Sequence, residues 1–280
     1  MAAFFHFAEK RTGRRPRVVS PEQLRLVSES SSRTGYGLYC TTTDLTPNTQ
    51  NGEKAKENEE LEKIHQVGLQ LTDGEYAPLP PDLRHHLALH GINEVRSMLL
   101  VQDKRILGIV HQELDALVST HGVLSPEEAN LLRRSVIPTI IPGSKELQEL
   151  RHKTCHEGTV SKNEFILKPI RASRGAGIVF GDELSSAEWE GILTDLQDPA
   201  IQAHPRSDRT PYVIQPVVTQ GEDELFLDEE MGTQRSHRVG AYHAVNGAFV
   251  GLGAWRVVVS SQRTCNMATG RAWKLMSMVV

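Results

Sequence analysis

The spacing of apolar positions in this 280-residue chain changes from helical to strand-like part of the way along it. Val18-Val19 followed by Ser20-Pro21-Glu22 predicts a strand at 17–19, a capping serine, a proline at the first helical position and a helix to about Ser28. Residues 41–58 carry almost no apolar side chain, which predicts a mobile loop or insertion. A helix is expected from near Glu57, with Leu61, Ile64 and Leu71 on or near its buried stripe, and another from Pro81-Asp82. Met98-Leu99-Leu100-Val101, a short apolar run between polar residues, predicts a buried strand. Behind a capping Asp103, residues Ile106, Leu107, Val110, Leu114 and Leu117 keep the 3.6-residue period. Ser125-Pro126-Glu127-Glu128 starts a further helix to about Arg134, and a last one of this series is predicted over 145–153.

From Phe165 the period shortens to that of strands. Runs at 165–168, 178–180, 212–218, 238–245, 248–253 and 255–260 are interrupted by one helix from Ser185 to about Leu196. Asn246-Gly247 between two apolar runs is a hairpin signal. The expected fold is α/β, becoming α+β in the C-terminal half. Its expected domains are an N-terminal α/β domain over 1–101 and a strand-rich region over 102–280 built of antiparallel sheet.

Composition narrows the function classes. Hydrophobic residues make up 39% and charged residues 24%, which is a globular balance. The net charge of -4 argues against a dedicated nucleic-acid binder, and no run approaches the ~20 apolar residues of a membrane span. Cys40, Cys155 and Cys265 lie far apart without a CxxC pair, so the expected compartment is reducing and cytoplasmic. Arg11, Arg14, Arg15 and Arg17 faintly resemble a transit peptide. Pro16 would break the helix such a peptide needs, and a solvated helix end is the expectation.

The segment FILKPIRASRGAGIVFG, residues 165–181, carries the most chemistry. A strand ends in Lys168-Pro169, a loop with Gly175 and Gly177 follows, and a second strand begins at Ile178. Glycines in such a turn let backbone N–H groups approach phosphate oxygens, and the lysine adds a point charge. The chain lacks GxxxxGK[ST], and a strand rather than a helix follows the glycines, so neither a P-loop nor a Rossmann turn fits. Thr210–Val218 is a second apolar strand able to present backbone groups to an adenine edge. The carboxylates of Glu222, Asp223 and Glu224 behind it could reach a ribose. His237-Arg238 opens a run of strands ending in Trp255-Arg256, where an arginine can grip a γ-phosphate bidentately. Asn266, in Cys265–Gly270, offers an amide oxygen to a hard cation.

Other features fit blander roles. His86 and His90 stand one helical turn apart, yet lack a third ligand at a familiar spacing, which predicts partly exposed helix histidines. Cys155-His156-Glu157 has no oriented base in sequence, and Trp189, Trp255 and Trp273 are spread like packing residues.

The order of these pieces resembles the ATP-grasp superfamily over roughly residues 95–280. The resemblance implies that Lys168, Arg174, Gly175, Ala176 and Gly177 hold phosphates, that Gln215 stands at the adenine hinge and that Glu222 serves the ribose. It further implies that Arg238 or Arg256 meets the γ-phosphate, and that Asn266, near Gly270, binds Mg2+. Gln102-Asp103-Lys104 before a helix is similar to the family's entry into its nucleotide-binding region, which brings Lys104 toward ATP. The glutamine of YVIQ looks most like the branch holding the circularly permuted and glutathionylspermidine-synthase-like members. The implied activity joins a small-molecule or peptide-like carboxylate to an amine or thiol through an acylphosphate. Two departures favour the alternative of a non-catalytic ATP-binding or scaffolding protein: Thr264 stands where the family often has a carboxylate, and Val257, Val258 and Val259 follow Arg256.

Overall fold

The computed structural model describes residues 2–41, 60–69, 71, 73–91, 95–172, 175–198, 211–245, 248–265 and 272–275. The expected mobile segment near 41–58, the turn at Asn246-Gly247 and the residues Arg174, Asn266 and Gly270 lie outside these, apart from Thr41. The chain divides into two compact units, Met1–Val101 and Gln102–Val280.

In the first unit, α1 (Ala2–Thr12) is followed by three antiparallel strands, β1 (Leu24–Ser28), β2 (Tyr36–Thr41) and β3 (Leu61–Lys63), in that spatial order. The helix expected to run to Ser28 is a single 3-10 turn, Pro21–Gln23, after which the chain extends. The reason is tertiary: Leu24 to Ser28 pair in register with five residues of β2. Residues 17–19 form no strand, and Val18 is exposed. Leu61 likewise joins a strand rather than a helix, because β2 offers its second edge to Leu61–Lys63. The helices α2 (Asp73–Tyr76) and α3 (Pro81–His90) follow, and Leu38, Leu79, Leu83 and Leu87 make the core. His86 corrects the expectation of exposure. It is buried, its Nδ1 lies 2.8 Å from Thr34 Oγ1, and its ring stacks on His90 with centroids 4.4 Å apart. Burial, then the neighbouring charges of His90 and His85, pull its pKa below the ordinary histidine value. The run expected as a strand at 98–101 is helix α4 (Val95–Gln102), with Leu100 and Val101 exposed. Four apolar residues do not distinguish the two periods.

The second unit opens on three helices, α5 (Arg105–Ser119), α6 (Pro126–Ser135) and α7 (Lys145–Arg151), the last running into a π turn at His152–Glu157. The Ser-Pro-Glu-Glu signal forms a capping box. Glu128 N–H donates to Ser125 Oγ over 3.2 Å, and Ser125 N–H donates to Glu128 Oε2 over 2.8 Å. Strands β4 (Phe165–Pro169) and β5 (Val179–Phe180), helix α8 (Ser186–Asp195) and strand β6 (Tyr212–Pro216) come next. β4 lies between β5 and β6, antiparallel to both. Its Leu167 is fully buried with Leu147, Leu150, Trp189, Leu193, Leu196 and Ile214. Burial of a side chain such as Leu167 is worth about 2 kcal/mol and makes this sheet a firm platform.

A second sheet holds β7 (Glu222–Asp228), β8 (Gly232–Val239), β11 (Trp255–Val259) and β12 (Trp273–Leu275) in the order β12-β11-β8-β7. The acidic stretch 222–228 is thus a strand. Pairing with β8 overrides its polarity. The single run expected at 238–245 is broken in two. Gly240 separates β8 from β9 (Tyr242–Val245) because the Trp255 ring occupies the space where a Cβ would stand, 2.9 Å from three ring atoms. β9 pairs with β10 (Ala248–Leu252) as a separate ribbon. The overall class is therefore mixed helix with small antiparallel sheets. Among the described residues the single parallel pairing is the bridge from Val67 to Gly91. No helix among them is long and apolar enough to cross a membrane.

Candidate functional site

Strand β4 delivers Lys168 by simple alternation. Ile166 and Leu167 are held in the sheet, and the next side chain, half-buried, opens onto a cavity of about 690 Å³. No hydrogen bond or ion pair from the described residues reaches its ammonium group. Burial pushes its pKa below the ordinary lysine value. Gly175 and Gly177 follow with φ of +75° and +68°, a left-handed conformation that side chains disfavour, and Ile178 returns the chain to β5. Gly175 lines the same cavity.

The opposite wall comes from the second sheet. Register settles which arginine faces the cavity. Arg256 pairs with Val239 and Val257 with Arg238, so the two arginines stand on opposite faces. Arg256 lines the cavity beside His237, and no hydrogen bond or ion pair from the described residues reaches its guanidinium. Arg238 is turned away and pairs with Asp223 at 2.7 Å. Glu222 pairs directly with His237 across the strands and so shares the cavity-facing side of the sheet, its carboxylate 3.6 Å from Arg235.

The remaining expected residues take other positions. Gln215 does not line the cavity. Its side chain is buried in the core, and its Nε2 donates to Thr139 Oγ1 over 2.8 Å. Strand β6 instead passes the cavity with Pro216, Val217 and Val218, and Val217 N–H donates to the Glu164 carbonyl. Lys104 is spent on carbonyls, donating through Nζ to Pro169 O over 2.9 Å and to Ala172 O. Burial, then the charge of Lys168, lower its pKa, with Asp103 opposing. Ala176 sits between the two glycines in the turn.

Several lining residues escaped the sequence reading. Ile137, Ile166, Ile178 and Phe180 supply apolar wall, and Arg263 lies 3.5 Å above the Phe180 ring while pairing with Asp182 at 2.7 Å. These partners are 81 and 83 residues apart, and nothing local announces them. His237 had a signal: the position beside Arg238 on an alternating strand. Cys265 also lines the cavity, its thiol pushed up by burial against the lowering effect of Arg256. Among the described residues no carboxylate lines the cavity, and no group of three or more His, Cys, Asp or Glu converges to hold a metal.

The arrangement suits an anionic ligand with an apolar portion. Two cations lacking partners among the described residues face one concavity whose volume falls within that of ordinary ligand sites, flanked by a glycine turn. Residues 1–100 match the family described as the AnkG N-terminal domain. The chain is 42% identical over 270 residues to the ATP-grasp enzyme ankG of Aspergillus thermomutatus. That alignment takes in 96% of this chain, which spans about half, 55%, of the length of that curated relative.

Proposed function

We propose that the 102–280 region is an ATP-grasp nucleotide-binding region and that its cavity binds ATP in an ATP-dependent ligase. The carrying observation is the pair Lys168 and Arg256, two cations without partners among the described residues, facing one cavity beside the Gly175–Gly177 turn. An unpaired, half-buried ammonium costs free energy in the free protein, and a polyphosphate offsets that cost. In this reading Lys168 and the turn amides hold phosphate oxygens, Arg256 neutralises the terminal phosphoryl group, and His237 lies beside it. Ile166, Ile178, Phe180 and Val217 enclose the base, with the backbone of β6 along its edge.

The substrate carboxylate attacks the γ-phosphate of ATP, releasing ADP and giving an acylphosphate, and an amine or thiol then attacks the acyl carbon and displaces inorganic phosphate. The protein's part is to position the groups and neutralise charge. The naming of the Aspergillus thermomutatus relative as an ATP-grasp enzyme supports this reading. The glutathionylspermidine-synthase-like branch and a carboxylate–amine substrate pair remain the finer form of the proposal, and the cytoplasm its expected site.

The fit to Mg2+ is poorer. Mg2+ prefers six oxygen ligands, and among the described residues no carboxylate lines the cavity. Asn266 is the proposed protein ligand, and Glu222 and Glu224, placed by register on the His237 side of the sheet, are acidic candidates. This shortage favours a second reading, a non-catalytic ATP-binding protein.

Calorimetry with ATP and a phosphate-release assay over paired acids and amines separate the readings. The ligase releases phosphate only when both co-substrates are present. The binding protein shows ATP affinity without release across the panel. Absence of ATP binding to the folded chain would overturn both.

A further inference from the structure

Two consecutive residues just before α5, Asp103 and Lys104, hold the four consecutive residues that lead from β4 into the glycine loop. Asp103 is buried, and its carboxylate accepts from Arg105 N–H at 3.0 Å and from Arg105 Nε and Nη2 at 3.0 and 2.7 Å. It also accepts from Arg171 Nε at 3.3 Å, across 68 residues of sequence. Lys104 N–H donates to Ile170 O at 3.0 Å, and its ammonium donates to the carbonyls of Pro169 and Ala172. Every residue from Pro169 to Ala172 is therefore tied to this corner.

The corner stands directly behind the site. Lys168 precedes Pro169 in the chain, Gly175 follows Ala172 by three residues, and the turn closes back on Pro169. There a Cβ at Gly177 would lie 2.9 Å from Pro169 Cγ. Moving Pro169 moves both the cavity's lysine and its glycine turn. Resting on the nucleotide reading above, we propose that Asp103 is a positioning residue. With Lys104 it staples residues 169–172 to the start of α5, which places Lys168 and the turn amides for the ligand's phosphates.

The electrostatics agree with this geometry. Burial alone would raise the Asp103 carboxyl. Hydrogen bonds from Arg105, its charge and the bond from Arg171 outweigh that and leave the pKa below the ordinary aspartate value. The resulting carboxylate opposes the burial and the Lys168 charge that pull the Lys104 amine down. A staple of this kind acts through the loop and touches no ligand itself, which separates it from Lys168 and Arg256.

The test uses the full chain with Asp103→Asn and Arg171→Met. It measures ATP affinity by calorimetry and residue-resolved hydrogen exchange without nucleotide. The proposal expects faster exchange at Ile170–Ala172 and Gly175–Gly177, with Leu167 and Ile214 unchanged. It also expects ATP binding about 10-fold weaker in each variant, roughly 1.4 kcal/mol. Faster loop exchange with wild-type ATP affinity would overturn the positioning role. Exchange raised uniformly through β4 and β6 would also overturn it, by showing a general stability residue. If Asp103→Asn fails to fold, Arg171→Met, with its half-exposed side chain, decides alone. If the wild type binds no ATP, the nucleotide reading falls, and the exchange arm still decides whether the staple exists.

Discussion

Replacing Lys168 with methionine tests the site most directly, because it should move binding and stability in opposite directions. Methionine keeps the unbranched stem and removes the ammonium. In the free protein that ammonium is half-buried with no partner among the described residues, so its loss leaves stability unchanged or raises it. In the complex the same change removes a charge-assisted hydrogen bond to a phosphate, worth about 1.5–3 kcal/mol. At about 1.4 kcal/mol per factor of ten, ATP affinity falls about 10- to 150-fold. The pH dependence has a definite sign. The folded-state pKa of Lys168 lies below its ordinary value of 10.5, so the unfolded chain binds this proton more readily. The stability cost is full below the folded-state pKa and is relieved as pH rises from there toward 10.5. The wild type should therefore gain melting temperature relative to Lys168→Met across that alkaline range. Calorimetry and melting curves on both proteins check these expectations. A folded variant with unchanged ATP affinity would remove Lys168 from the site, and a clear loss of stability would show that the ammonium itself stabilises the free protein.

Gly177→Val should abolish ATP binding and cost about 1–3 kcal/mol of stability, because its φ is +68° and the new Cβ meets Pro169. Urea melts and calorimetry test it, and normal binding would make the turn merely structural. Gln215→Leu should cost about 1–3 kcal/mol by leaving Thr139 without its buried donor, while ATP affinity stays at the wild-type level. A large loss of affinity in that variant would return the Gln215 side chain to the hinge role implied by the resemblance.

How much of this was legible in sequence depended on whether the signal was local. The Ser125 capping box, the strand ending at Lys168-Pro169 and the glycines after it are written in consecutive residues, because caps, alternation and positive φ are properties of a few neighbouring peptides. Where sequence expected helix and the chain instead extends, a partner strand decided it. Leu24–Ser28 and Leu61–Lys63 extend because β2 pairs with both. The acidic Glu222–Asp228 is a strand because β8 pairs with it. Local propensity is worth tenths of a kcal/mol per residue and yields to such pairing. Tertiary structure alone also divided roles among residues of the same chemistry. Arg238 and Arg256 look alike in sequence, yet a register that sets them on opposite faces sends one to Asp223 and the other to the cavity. Gln215 and Lys104 read as ligand contacts, and the fold turns one to Thr139 and the other to the carbonyls behind the loop. Sequence by itself determined which groups are available and where the chain must turn. Which of them meet across tens of residues was decided by strand register and core packing, which no local pattern encodes.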